Sequence, residues 1–504
     1  MPSQREPERI HQRRWPWIVS LGLIAAIVAG MILLVTHWPF TPDKIQGELR
    51  SRLAGNLQVG SYRQVYFPRP GCVLEGVVLS TADRAEPLFT ARELTIEGSY
   101  SSMLTTPHHL RIGAQGAHIS LKPGANGVFR QQGTMPKTIV DDLEAHDLVL
   151  DVGRIGNPPL RFEIHQLEAG PMAENKAMRF EAKLTNPLPR GAVQTSGVIG
   201  PWNRRDAGST PVSGSYQLTG ADLGVFASIG GSLSSSGNFS GALSKIGVTG
   251  KLQVADFVVR ASGHPVNLTA QFQADVNATS GDVLLRHSAV SWRNTTLIAT
   301  GPIAGQPGQQ GKTVALDVQV DRGRIEDLMR LVMRSEPTMN GRAAFRGNVV
   351  WPPGAGKFIE KIQFTADFDI DHARFTREQV QQNVNKLSER ARGDKDNDPE
   401  SVLTNLKGHL LLQRGVARLT NGEFAVPAAV AEFGGTCDML SRGLNMQGHL
   451  RMKATVSQAT TGLKSVLLKV MVPFFRNRKR SAGSDVPVKL AGTISHPQIG
   501  VDLP

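Results

Sequence analysis

The sequence predicts a mainly β protein: one N-terminal transmembrane helix, then an elongated, twisted antiparallel β-sheet or groove with a few short helices. Three observations predict it. Apolar and polar residues alternate with a period of two over much of the chain. Glycine is frequent, 52 in 504 residues, while aromatics are only 6%, as expected of many strands joined by tight turns. One uncharged apolar run near the start is long enough to cross a bilayer.

That run is Trp17–Val35, WIVSLGLIAAIVAGMILLV, about 19 residues, close to the ~20 needed for a ~30 Å hydrocarbon core. Trp15, Trp17 and Trp38 stand at its ends, where amphipathic rings favour the interface. Arg5, Arg9, Arg13 and Arg14 precede it, so residues 1–15 stay in the cytoplasm, 16–37 form the anchor, and about 465 residues are exported. The run exceeds the ~7–15 residues of a signal-peptide core, and no small-x-small cleavage site follows. Residues 38–56 then read as a juxtamembrane helix, capped by Thr41 or Asp43 and carrying Ile45, Leu49 and Leu53 on one face.

Period-two alternation dominates 57–375. In Leu268–Val276, Leu268, Ala270, Phe272, Ala274 and Val276 face one way and Thr269, Gln271, Gln273 and Asp275 the other. Ile362–Ile370 repeats the rule with Ile362, Phe364, Ala366, Phe368 and Ile370. Thr313–Val320 and Leu444–Ala454 do the same. Glycine- and proline-rich clusters at Gly230–Gly241, Pro307–Gly311 and Pro352–Gly356 read as turns. Helical spacing marks Arg324–Ser335, with Ile325, Leu328, Leu331 and Val332, and Arg377–Gly393, with Val380, Val384 and Leu387; the latter leads into an acidic loop that completes 376–400. The region 401–504 holds an amphipathic helix over 461–477 and a terminal hairpin, Val486–Pro504, around a Ser-His-Pro turn. Its Val486, Val488, Leu490 and Ile494 lie on one side, and Ile499, Val501 and Leu503 alternate after the turn. Some 30 strands at ~4.7 Å each exceed a single sandwich and predict a curled sheet on the order of 100–150 Å long, its apolar face lining a groove.

Chemical motifs are scarce. The formal charge of +13 is spread along the chain, which weakens a nucleic-acid reading. Cys72 and Cys437 form no CxxC; the choices are a disulfide in an oxidising compartment or two separate buried thiols, and their separation favours the second. No HExxH, GxSxG, Walker A or dinucleotide fingerprint is present. His108 and His109 are adjacent and would point to opposite faces of a strand. Asp394, Asp396 and Asp398 have EF-hand spacing, but Pro399 and Asn405 stand where Gly and Glu are needed. The sequons at Asn238, Asn267, Asn277 and Asn294 arise readily by chance in Ser/Thr-rich β sequence. Arg476, Arg478, Lys479 and Arg480 follow the 461–477 helix; they suit either anionic head groups or a helix C-terminus. No cofactor, metal or catalytic set is expected.

Three stretches resemble the AsmA-like family of inner-membrane-anchored envelope proteins. They are FTPDKIQGELRSRLAGNLQVGSYRQVYFPRPGCVLEGVVLS, Phe40–Ser80; LKGHLLLQRGVARLTNGEFAVPAAVAEFGGTCDMLSRGLNMQGHLRMKATVS, Leu406–Ser457; and PVKLAGTISHPQIGVDL, Pro487–Leu503. The resemblance covers about a third of the chain. It implies a periplasmic β-groove with an apolar lining, related to bridge-like lipid-transfer proteins and serving phospholipid transport or outer-membrane biogenesis. The chain is shorter than the largest members and is not expected to span the periplasm alone. Expected groove-lining residues are Leu268, Phe272, Val276, Ile362, Phe364, Phe368, Ile370 and Leu450. Expected partners are phospholipid or another envelope lipid, the inner membrane, and outer-membrane or periplasmic proteins, with no nucleic acid. Two alternatives stand beside this: a non-transporting scaffold for outer-membrane proteins, and an exported carbohydrate-active enzyme.

Overall fold

The computed structural model describes residues 41–42, 56–80, 86–101, 109–121, 139–154, 157–173, 175–203, 206–226, 228–306, 311–354, 358–392, 402–453, 484–493 and 496–501. Of these, 71% are strand and 9% helical, and the strands form a single large twisted, open sheet of 24 members. The anchor, the juxtamembrane helix, the acidic loop at 394–400 and the 461–477 helix with its basic end lie outside the described residues. No helix among the described residues is long and apolar enough to cross a membrane.

The order of strands is nearly the order of the chain. β1 (Asn56–Gln58) and β2 (Ser61–Val65) both pair with β3 (Gly71–Ser80), at its two halves. From there each strand pairs with the next: β4 (Phe89–Gly98), β5 (His109–Leu121), β6 (Ile139–Arg154), β7 (Asn157–Gly170), β8 (Met178–Pro187), β9 (Arg190–Ile199), β10 (Pro211–Asp222), β11 (Ile229–Ala242) and β12 (Lys245–Val259). The series continues through β13 (Val266–Val276), β14 (Val283–Trp292), β15 (Thr295–Gly305), β16 (Lys312–Arg324), β17 (Met339–Trp351), β18 (Gln363–Phe375) and β19 (Thr404–Gln413). It ends with β20 (Val416–Val426), β21 (Ala429–Asp438), β22 (Gly443–Met452), β23 (Ser484–Thr493) and β24 (His496–Val501). All neighbours run antiparallel except β5 and β6, which are parallel; the sheet is therefore not purely antiparallel. The described strands number 24 rather than about 30, because many span 10 to 16 residues, well above the ~5–6 of an average strand.

Two local readings are corrected. Gly230–Gly241 is not a turn cluster; it lies inside β11, paired on both sides. Its glycines are there for packing, as described below. In the last hairpin His496 and Pro497 belong to β24, facing Thr493 and Gly492, rather than to a turn. The rest of that hairpin follows the alternation, with Leu490 opposite Ile499 and Val488 opposite Val501.

Left-handed residues inside strands mark bulges: Gly76, Gly116, Asp147, Gly220, Asp256, His372 and Asn421. Register shifts occur at several of these, between Leu218 and Ala221, Val254 and Phe257, Ile370 and Ala373, and Leu419 and Gly422. Each extra residue increases local twist while returning the apolar side chains to the same face.

Helices are few. α1 (Ile325–Val332) packs Ile325, Leu328 and Met329 on Met339, Ala343, Ile370 and Ala373. α2 (Phe358–Lys361) brings Phe358 edge-on to Trp351, with ring centroids 5.1 Å apart. α3 (Glu378–Arg392) packs Val384, Leu387 and Ala391 on Val402, Val426 and Ala429.

Candidate functional site: an apolar sheet face

Register shows which residues share a face. Tyr62, Leu74, Leu94, Ala114, Ala145, Leu167 and Ala182 are successive partners from β2 to β8. The row continues through Thr195, Tyr216, Gly237, Gly250 and Phe272 to β13. A second row starts at Ala299 on β15 and passes Val318, Gly347, Ala366, Leu410 and Leu419. It reaches Gly435, Met446, Leu490 and Ile499 on β24. Ala270–Val290–Leu297 and Ala274–Leu285–Gly301 join the two rows across β13–β15. One face is thus apolar or small from end to end. At ~4.8 Å per strand its contour is about 110 Å.

This face is closed near its start, where Leu74 and Val77 are each 2% exposed, and only partly covered further along. Leu268, Phe272 and Val276 are half-buried on β13, and the alanines between them are covered. Phe364 and Phe368 are half-buried on β18, Ile370 is buried, and Leu450 is half-buried on β22. All seven share the apolar face, but Phe272 and Phe368 are five strands apart, about 24 Å. They are points on a surface, not one pocket. Ile362 differs: it precedes β18, and its N–H donates to the Phe358 carbonyl at the end of α2, 2.9 Å.

Between β8 and β13 the face is built from glycines under aromatic rings. A Cβ on Gly214 would stand 2.8 Å from the Phe239 ring, and one on Gly250 would stand 2.9 Å from Phe272 Cζ and 2.9 Å from Tyr216 Oη. Bare backbone there gives the rings a floor; in β11 Gly237 lets the strands approach closely, since a Cβ on it would stand 2.3 Å from the Thr249 carbonyl oxygen. The alternation of glycine with Tyr216, Phe239 and Phe272 was the signal in the sequence; reading glycine as a turn residue hid it.

α1 lies on this face across the strand ends. Asp327, only 2% exposed, accepts from Asn294 N at 3.0 Å and Thr295 Oγ1 at 3.1 Å, and Arg293 Nε lies 3.2 Å away. Trp292 Nε1 donates to the Asp327 carbonyl. Glu326 Oε2 accepts from Gly341 N at 3.1 Å and Oε1 from Arg324 Nε at 2.8 Å. Burial works against ionisation of Glu326, but these donors outweigh it and hold its carboxyl below the usual range. At the far end Arg334 Nε donates to the Ala261 carbonyl, and His264 contacts the Arg334 carbonyl. α1 therefore straps the β12–β13 turn to β17.

The opposite face is charged and wet. Cross-strand ion pairs include Arg111–Asp142, Arg161–Asp151, Arg190–Glu163, Arg286–Asp275, Lys407–Glu423 and Arg451–Glu432, at 2.6–3.1 Å. The Arg161 hydrogen bond, opposed by burial and aided by His118, lowers the pKa of Asp151. Hollows of about 590 to 850 Å³ lie along the sheet; the largest of them is bordered by Gln194, Ser196, Gln217 and Lys251 together with Tyr216 and Phe272 of the apolar row.

The two cysteines are free and buried, on β3 and β21. Burial pushes the Cys72 thiol up to about 12. No cluster of metal-ligating side chains is found among the described residues. Several histidines there pair with carboxylates, as His109 does with Asp141 at 2.7 Å and His409 with Asp367 at 2.7 Å; His108 lies outside the described residues. Comparison with family models, with curated proteins and with solved structures found no match.

Proposed function

We propose that the chain is an AsmA-like, inner-membrane-anchored periplasmic protein that carries phospholipid along the apolar face of its sheet, without covalent chemistry. One observation carries this reading: the apolar face runs from β2 to β24 in a single layer, and on β13, β18 and β22 large side chains such as Leu268, Phe272, Phe364 and Leu450 stay partly exposed. A sandwich would have covered them with a second sheet. An acyl chain in water costs about 0.8 kcal/mol per exposed CH₂, so moving one needs continuous apolar cover, while the head group stays in water. An open face about 110 Å in contour supplies that cover. The Arg476–Arg480 cluster is proposed to meet anionic head groups.

The test uses the full chain in cells, with a photoreactive phenylalanine analogue at Phe272, at Phe368 or, as control, at Gln271 on the polar face. Lipid adducts at the first two positions and none at the third are expected. With the analogue at Phe364 instead, a loss of lipid adducts by at least tenfold in the folded Phe272→Asp, Phe368→Asp variant completes the result. Protein adducts without lipid at the apolar positions would overturn it. That outcome favours the scaffold reading, which has one observation of its own: among the described residues β24 pairs on one side only, leaving an open sheet edge.

A further inference from the structure

We propose that the loop Tyr66–Pro70, with Tyr100 beside it, is a foot that sits in the surface of the bilayer holding the N-terminal anchor. The proposal rests on reading residues 16–37 as that anchor. The loop joins β2 to β3, and Tyr100 follows β4 at the same edge of the sheet. Phe67 is 84% exposed, Tyr66 45% and Tyr100 41%. This chain has only 4 tyrosines and 6% aromatics, so half of its tyrosines flank one exposed phenylalanine. The patch is held firmly. The Tyr100 hydroxyl donates to the Tyr66 carbonyl, Gly98 N donates to the Pro70 carbonyl at 2.8 Å, and Pro70 is buried.

Three features choose a membrane surface over other occupants. Exposed aromatics with polar tips suit the head-group layer. Residues 61–71 contain Arg63 and Arg69, both exposed, and no acidic residue, which complements anionic lipid. And β1 begins about 21 residues after Val35, a reach of up to about 75 Å, long enough to bring the first hairpin to the bilayer that the anchor enters. Seated there, the foot sets the β3 row of Cys72 and Leu74 at the membrane surface, where the apolar face begins.

The experiment places a spin label in the full-length chain in phosphatidylethanolamine–phosphatidylglycerol vesicles, through Phe67→Cys, Leu188→Cys or Ile24→Cys. Cys72 and Cys437 are buried and stay unlabelled. Leu188, 48% exposed, is the control at the opposite edge. Lipid immersion is read as the ratio of oxygen to nickel-chelate accessibility. The expected ratio at residue 67 is several-fold above that at 188, and falls toward it when phosphatidylglycerol is omitted. Label 24 in lipid with label 67 in water overturns the foot and leaves the anchor standing. Labels 24 and 67 both in water overturn the anchor reading and the foot with it. Spin–spin broadening between residue-67 labels of different chains assigns the loop to a second copy and overturns the proposal.

Discussion

The stretch from β8 to β13 and the stretch from β16 to β22 solve one problem differently. Both must keep a single-layer sheet ordered with one apolar face uncovered. The first does so within the sheet, by seating Tyr216, Phe239 and Phe272 on glycine backbone. The second adds α1 and α3, which bury Met339, Ala343, Ala373, Val426 and Ala429 near the strand ends. Helices therefore stabilise a margin of the face, while Phe345, Phe364 and Leu410 stay partly exposed beside it.

The largest expected effect breaks the helix-strapped region. Asp327→Ala leaves Asn294 N–H and the Thr295 hydroxyl without their buried acceptor and should cost about 3 kcal/mol. Urea unfolding measures it, and Asp327→Asn should recover part of the loss. Gly250→Val breaks the other solution, forcing a side chain into Phe272 and Tyr216, at about 1–3 kcal/mol. If it unfolds at the wild-type urea concentration, the glycine floor is not structural. Val384→Ala sharpens the contrast. It should cost about 1–2 kcal/mol and speed hydrogen exchange in α3 while β8–β13 stay protected. Uniform loss of protection across both stretches would show that the margins are not separate.

Two smaller effects extend the comparison to β3–β7. The Asp151 carboxyl sits below the ordinary carboxylate range because Arg161 bonds to it. Its contribution is present above its unfolded pKa near 4 and is lost as pH falls through the lower folded value. Acid titration of unfolding should show a drop that Asp151→Asn flattens. Cys72 is 0% exposed and Cys437 9%, and burial raises both thiols. Neither should react quickly with a thiol reagent at pH 8; any slow reaction should begin at Cys437.

Much of the fold was legible in the residues, and for a physical reason. Period two in Leu268–Val276 and Ile362–Ile370 reports a strand with one apolar side, because successive side chains point oppositely. The stripes at Ile325–Leu328 and Val384–Leu387 report helices by their 3.6 period. Less legible were glycines with two meanings. Gly230–Gly241 looks like punctuation until its neighbours in register are known, because a ring on the next strand is invisible to local reading. The bulges at Asp256, His372 and Asn421 were hidden likewise, since a left-handed residue within a strand leaves the alternation displaced by one.

By itself the sequence determined that this chain is mainly β, that its strands are one-sided, and where α1 and α3 fall, since those follow from local periodicity. Only the tertiary structure decided that β5 and β6 run parallel, that α2 precedes β18, and that α1 and α3 pack on the apolar face. It also gathered Tyr66, Phe67 and Tyr100 into one exposed patch. Those outcomes depend on pairing between strands distant from local signals, and alternation is the same whether the apolar side meets a second sheet, a helix or open space.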